Sequence, residues 1–330
     1  MVTTWLNTSF EMKFRVIDGL TIRYAESEDH GDHALLLSPW PESLLAFMPV
    51  WEPLAEYAHL VAVDPPGLGH SQRSDAITSA RAMGEFVIRV CDAFGLEHPH
   101  VIGPGSGTAA VLFAAAEHPG RLRSLAAGGG AAAVPLQLGG WLKDWAEAPD
   151  LELFRRADSR QLVASALADM RRYVLPDAVR EDYFSSYQGS RFAESLRYLR
   201  GYPACLDVLA GLLPGITTPV QLIAGVHDTT VPLANAAYLH QRLPHSRLDI
   251  IDAGHFTWED AAAEYSALIT SWWRGDYAAT GSRSGSHGEG VSRTCTPPVR
   301  LPSTNCMAGA ANARRWTGWW PASGPGTAGR

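Results

Sequence analysis

The sequence predicts an α/β fold in which a mostly parallel sheet is flanked by helices, and three observations carry that prediction. Short, continuously apolar runs at 33–37, 59–63, 100–102, 122–126, 220–224 and 248–251 read as strands buried on both faces. Stretches of helical periodicity alternate with them, as in a sheet built from crossover units. Several of the runs end in turns rich in Gly, Pro and Asp, such as Ser38-Pro39-Trp40-Pro41-Glu42 and Asp252-Ala253-Gly254-His255.

Taken in order, residues 10–25 alternate apolar and polar around Asp18-Gly19, which predicts a hairpin. The first buried strand is 33–37, and 44–57 is helical in pattern. A second buried strand, 59–63, runs into Asp64-Pro65-Pro66-Gly67-Leu68-Gly69-His70-Ser71. With no GxGxxG and no GK[ST], that loop is read as a structural turn and not as a phosphate cradle. An amphipathic helix at 81–94 and a strand at 100–102 follow, then a small-residue helix over 109–117 and a strand at 122–126. From about 135 to 214 the strand signal vanishes, and helices are expected at 141–157, 159–173, 177–187 and 191–198. Strands at 220–224 and 248–251 alternate with helices at 234–243 and 260–273. The expected organisation is a core of 1–134 and 214–274, a helical cap of 135–213, and a disordered tail over 275–330.

Composition excludes several classes. A net charge of −7 gives no general attraction to nucleic acid or to anionic membrane. Cys91, Cys205, Cys295 and Cys306 are scattered, with no CxxC and no paired His, which argues against a zinc site and a disulfide framework. No signal peptide or membrane span is evident, so a cytoplasmic protein is expected. The tail carries six Arg against Asp276 and Glu289 and has no periodicity. Its apolar cluster of Trp316, Trp319 and Trp320 leaves it either a functionless extension or a partner-docking segment.

The chemistry centres on Val101-Ile102-Gly103-Pro104-Gly105-Ser106-Gly107-Thr108, a strand-to-helix turn with glycines at 103, 105 and 107. It looks like a nucleophile elbow, which wants small residues two before and two after the reactive side chain. Gly103 and Gly107 fit, so Gly105 stands in the nucleophile position and brings no side chain. Ser106 is the alternative catalytic side chain, but it is offset by one, which turns it from that position. With D-x-P-G-x-G-x-S at 64–71, an Asp after a later strand and Gly254-His255-Phe256 near the end, residues 15–274 resemble the α/β-hydrolase superfamily. Gly103-Pro104-x-x-Gly107 and Trp40-Pro41-Glu42-Ser43 are most similar to its epoxide hydrolase and haloalkane dehalogenase branch.

The resemblance implies roles. His255 would be the general base, and Asp228, after the strand at 220–224, its orienting acid; the plainer reading of Asp228 is a turn made with its own backbone. The amides of Ser106 and Trp40 would form the oxyanion hole, and the Trp40 indole would line the pocket. Cap tyrosines donate protons to the leaving oxygen in epoxide-opening relatives, which nominates Tyr183, Tyr187 and Tyr198 for substrate binding. His227 reads as a spectator and the Trp141/Trp145 pair as packing.

The expected function is hydrolysis of a small apolar organic molecule (epoxide, halide or ester-like), without cofactor or metal and with the covalent nucleophile missing. A cofactor-free lyase, cyclase or isomerase using His255 for proton transfer is one alternative. A ligand-binding pseudoenzyme is the other. The only partner expected is the small-molecule substrate, with no nucleic acid and no membrane, and a homodimer is left open.

Overall fold

In the computed structural model, which describes residues 10–29 and 31–278, β1 (Met12–Ile17) and β2 (Leu20–Glu26) form the hairpin centred on Asp18-Gly19. Both turn residues adopt positive φ, 50° and 75°, as a tight hairpin turn of this type requires. The sheet continues through β3 (His33–Leu37), β4 (His59–Val63), β5 (His100–Pro104), β6 (Ser124–Gly128), β7 (Val220–Gly225) and β8 (Ser246–Ile251), in the order β1-β2-β4-β3-β5-β6-β7-β8. β2 meets β4 antiparallel, and every pair from β4 to β8 is parallel. The apolar runs of β3, β4 and β5 are buried almost throughout, as strands covered on both faces must be. β6 begins two residues later than 122–126 predicts. Its end pairs Ala127 and Gly128 with Gly103 and Pro104, so ladder pairing outweighs the weak strand propensity of small residues.

α1 (Met48–Ala55) packs on α12 (Ala262–Trp273), and α2 (Ala80–Phe94) packs on α3 (Gly107–Glu117). α2 starts at Ser79, whose hydroxyl accepts the Ala82 N–H at 3.2 Å, and stops at Gly95 with φ +65°. Between β6 and β7 the chain forms α4 (Gly140–Ala146), α5 (Glu152–Arg156), α6 (Ser159–Leu167), α7 (Asp177–Ser186), α8 (Arg191–Arg200) and α9 (Tyr202–Leu212). α10 (Ala234–Arg242) and α11 (Thr257–Asp260) complete the described elements.

Two helix predictions between β6 and β7 need correction, and one helix there was not expected. The single helix expected over 141–157 is two, α4 and α5, because Pro149 cannot continue the ladder of the first. The helix expected over 159–173 ends at Leu167. The N–H groups of Arg171, Arg172 and Tyr173 instead donate to the carboxylate of Asp260, at 2.8–3.1 Å. α9 was not predicted at all; Pro203 stands in its first turn, where a missing N–H leaves nothing unpaired.

The helical segment is tied to the sheet by buried polar contacts. Arg23 of β2 pairs with Asp182 of α7 at 2.7 Å and with Asp64 after β4 at 3.5 Å. The Asp64 carboxylate also accepts the N–H groups of Leu44 and His70, so the glycine-rich loop after β4 is held as a turn. The tail expectation, including Trp316, Trp319 and Trp320, falls from residue 279 onward outside the described residues. Among the described residues no helix is long and apolar enough to cross a membrane.

Candidate active site

The site gathers at the C-terminal ends of the parallel strands, where open α/β sheets place their ligands. β5 delivers Gly105. Its φ is +53°, in the left-handed region, and its N–H donates to Gly128 O at 2.9 Å. A Cβ on Gly105 would lie 3.4 Å from Pro39 Cβ and 3.7 Å from Trp258 Cη2, ordinary contact distances, so the backbone there leaves space for a side chain. Two residues earlier the opposite holds. A Cβ at Gly103 would fall 2.5 Å from Val111 Cγ1, because α3 turns back immediately over β5. Thr108 locks this turn, its hydroxyl lying 3.1 Å from both Gly103 O and Gly128 O.

β7 delivers Asp228 and β8 delivers His255. The imidazole Nδ1 lies 2.9 Å from Asp228 Oδ2, and both side chains are about 5% exposed or less. Asp228 Oδ1 accepts the N–H groups of Thr230 and Val231 at 2.9 and 2.8 Å. The aspartate therefore makes the backbone turn and the histidine contact at once, one oxygen for each. Burial disfavours the charged imidazole, but the charge and hydrogen bond of Asp228, with Glu42 and Asp169, outweigh it and raise the His255 pKa above its ordinary value.

His255, Gly105, Ser106 and Trp40 line one cavity of about 20 Å³, whose apolar walls include Leu138, Trp141, Leu142 and Leu199. That is room for a single water. The Ser106 hydroxyl is buried without a hydrogen-bond partner. Among the described residues, neither the Ser106 nor the Trp40 amide donates to a backbone carbonyl. The Trp40 indole donates to Ser195 Oγ of α8 at 2.8 Å, fixing the ring across the cavity.

The tyrosines nominated from sequence fall elsewhere. Tyr183 is buried with its hydroxyl on Glu259 Oε1 at 3.0 Å, and Tyr187 donates to Glu42 O at 2.9 Å. Tyr198 reaches Ser106 O at 3.1 Å without lining the cavity. Tyr202, which the sequence did not single out, lines it and donates to the same carbonyl at 3.2 Å. Trp141, read as packing, also lines the cavity, and its indole donates to Asp169 Oδ2. His227 is half exposed and pairs with Asp252 at 2.8 Å, away from the cavity.

Sequence reasoning missed a buried carboxyl pair beneath the site. Glu42 Oε1 accepts the indole N–H of Trp258, the ring that faces Gly105, at 2.9 Å. Burial pushes the Glu42 carboxyl up to about 7, against hydrogen bonds from Glu259 and Trp258 that favour its charged form. Burial and the adjacent Glu42 charge raise Glu259 well above the ordinary range. Of the two, Glu259 is the one held further toward its protonated form. The only sequence signal was a Glu at the end of the first loop and another four residues after His255.

Residues 34–262 match the family described as the alpha/beta hydrolase fold. The chain belongs to this family. A relative from Caulobacter sp. (strain K31), named as the carbamate hydrolase RutD, is 28% identical over 251 residues, covering 70% of this chain and 86% of that relative. The magnesium-chelatase 30 kDa subunit of Rhodobacter capsulatus is 31% identical over 226 residues, covering 66% and 78%. Among solved structures, an alpha/beta hydrolase fold protein from Burkholderia ambifaria superposes with a TM-score of 0.69 at 20% identity, covering 79% of this α/β hydrolase and 98% of that chain.

Proposed function

We propose that this α/β hydrolase cleaves a small apolar ester or carbamate by activating water directly, with no covalent intermediate. The observation that carries the reading is the His255–Asp228 pair facing a one-water cavity that Gly105 lines. Position 105 is the nucleophile seat in this reading, and the water takes the space a side chain would fill. His255 Nε2 removes a proton from that water as its oxygen attacks the carbonyl carbon. The amides of Ser106 and Trp40 receive the tetrahedral oxyanion. Collapse breaks the bond to the leaving group, which takes the proton back from the imidazolium. Asp228 holds the imidazole in the right tautomer and stabilises its charged form. No cofactor enters the scheme.

A carbonyl substrate is favoured over an epoxide or halide on two grounds. Displacement at carbon in the epoxide hydrolase and haloalkane dehalogenase branch relies on a carboxylate nucleophile at this seat, and the hydroxyls of Tyr183 and Tyr187 are committed away from the cavity. The carbamate hydrolase activity named for the Caulobacter relative points the same way. Residues 135–213 act as the cap. Leu138 and Leu199 line both the buried cavity and an outer groove of about 480 Å³, so they form the partition a substrate must displace.

The test is turnover of p-nitrophenyl acetate and of a phenyl carbamate by the natural chain and by His255→Ala. The proposal expects measurable turnover that His255→Ala abolishes. Equal rates in both chains would remove the proton-transfer role and leave a ligand-binding reading.

A further inference from the structure

The opposite edge of the sheet holds a second cluster of chemistry-bearing side chains. His33 and His59 open β3 and β4 and face each other in register, with ring centroids 5.6 Å apart. Asp29 sits in the loop between β2 and β3. One ligand atom each from Asp29, His33 and His59 lies within 4.8 Å of the other two.

The surroundings prepare His59 as a ligand. Its Nε2 lies 3.1 Å from Glu26 Oε1, so that nitrogen carries the proton and donates to the carboxylate. The other nitrogen, Nδ1, then holds a lone pair, and it is buried with no hydrogen-bond partner. A buried acceptor without a partner is unfavourable, and a cation would satisfy it. A carboxylate on the far nitrogen is the usual support of a metal-bound imidazole. The loop carrying Asp29 is pinned on both sides: Ser27 exchanges hydrogen bonds with Leu60, and His59 N–H donates to Asp32 O.

We propose that Asp29, His33 and His59 form a Zn²⁺ site at the N-terminal edge of the sheet, supported by Glu26. Two imidazoles and a carboxylate suit Zn²⁺, with water completing a tetrahedron. Ligand atoms in such a site stand about 3.3 Å apart, as bonds of roughly 2.0–2.1 Å require. Asp29 is exposed and already accepts the Gly31 N–H at 3.0 Å, and His33 is half-buried; metal binding has to draw these side chains inward from separations of up to 4.8 Å. The metal clips the β2–β3 loop to the starts of β3 and β4, and its effect falls on stability and not on the His255 cavity at the other edge.

The experiment is calorimetric titration of the EDTA-stripped full chain with Zn²⁺, alongside Tm with Zn²⁺ and with EDTA. One saturable Zn²⁺ per chain and a higher Tm with Zn²⁺ are expected. His33→Ala and His59→Ala each remove that binding event. Glu26→Gln weakens it on the order of tenfold. His255→Ala leaves it intact. His33 is the more exposed histidine, so His33→Ala keeps the test valid if His59→Ala does not fold. No saturable binding, or binding unchanged in His33→Ala, would overturn the proposal; the second result would place the metal on other histidines or cysteines of the chain.

Discussion

The two halves of the candidate active site are built to different degrees. On the β7–β8 side the acid is fully partnered: Asp228 uses one oxygen on His255 and the other on its own turn. On the β5–α3 side the backbone is that of an elbow, with positive φ at Gly105 and space for a Cβ, but the side chain is absent. The contrast teaches which chemistry the scaffold can supply. Under the proposed function, proton transfer and oxyanion stabilisation use groups that are present, whereas covalent catalysis at position 105 would need a side chain that Gly105 does not bring.

If the acid–base half is the working half, His255→Ala has the largest effect, a loss of about 10²–10⁴ in kcat with fold and ligand affinity retained. Asp228→Asn is next. It removes the main influence holding the His255 pKa up, and the base must be neutral to act. In the natural chain kcat/KM should therefore rise with pH through a pKa above the ordinary histidine value. In Asp228→Asn that limb should move to lower pH while the plateau falls. An unmoved limb in stopped-assay pH profiles would detach the titration from this pair.

The empty half gives the third prediction. Gly105→Asp places a carboxylate at the proposed nucleophile position, where a Cβ would meet its neighbours at 3.4 and 3.7 Å. The positive φ should reduce stability by about 1–2 kcal/mol in denaturant unfolding. If the seat is intact, the variant should gain epoxide or haloalkane turnover through an ester adduct; a folded, inert variant on a broad panel would count against the branch suggested by the sequence. The smallest effect belongs to Glu42→Gln. The amide keeps a hydrogen-bond acceptor for Trp258 but removes a charge that helps raise the His255 pKa. The pH limb should shift down by less than in Asp228→Asn. A larger shift would make the buried carboxyl pair, and not Asp228, the dominant influence on the base.

The sequence was most legible where a local rule decided structure. Asp18-Gly19 set the first turn, and the apolar runs 33–37 and 59–63 became β3 and β4 residue for residue. It was least legible where distant groups decided. After α6 ends at Leu167 the chain does not resume a helix, because Asp260, some ninety residues away, takes the amides of Arg171, Arg172 and Tyr173. The site divides in the same way. His255, Asp228 and Gly105 each follow a strand and could be placed from sequence alone. Tyr202, Trp141 and the Glu42–Glu259 pair reach the site through the fold of the helical segment or through burial, which no spacing encodes. Residue type alone nominates Tyr183 and Tyr187, and packing commits their hydroxyls to Glu259 and to the Glu42 carbonyl instead.

The central claim, water activation without a covalent step, is tested most directly by quenched-flow intact-mass spectrometry during turnover of p-nitrophenyl acetate. The account predicts product release with the protein at its unmodified mass throughout. An acetyl adduct that forms and decays at the turnover rate, and disappears in Ser106→Ala, would contradict it and make Ser106 the nucleophile.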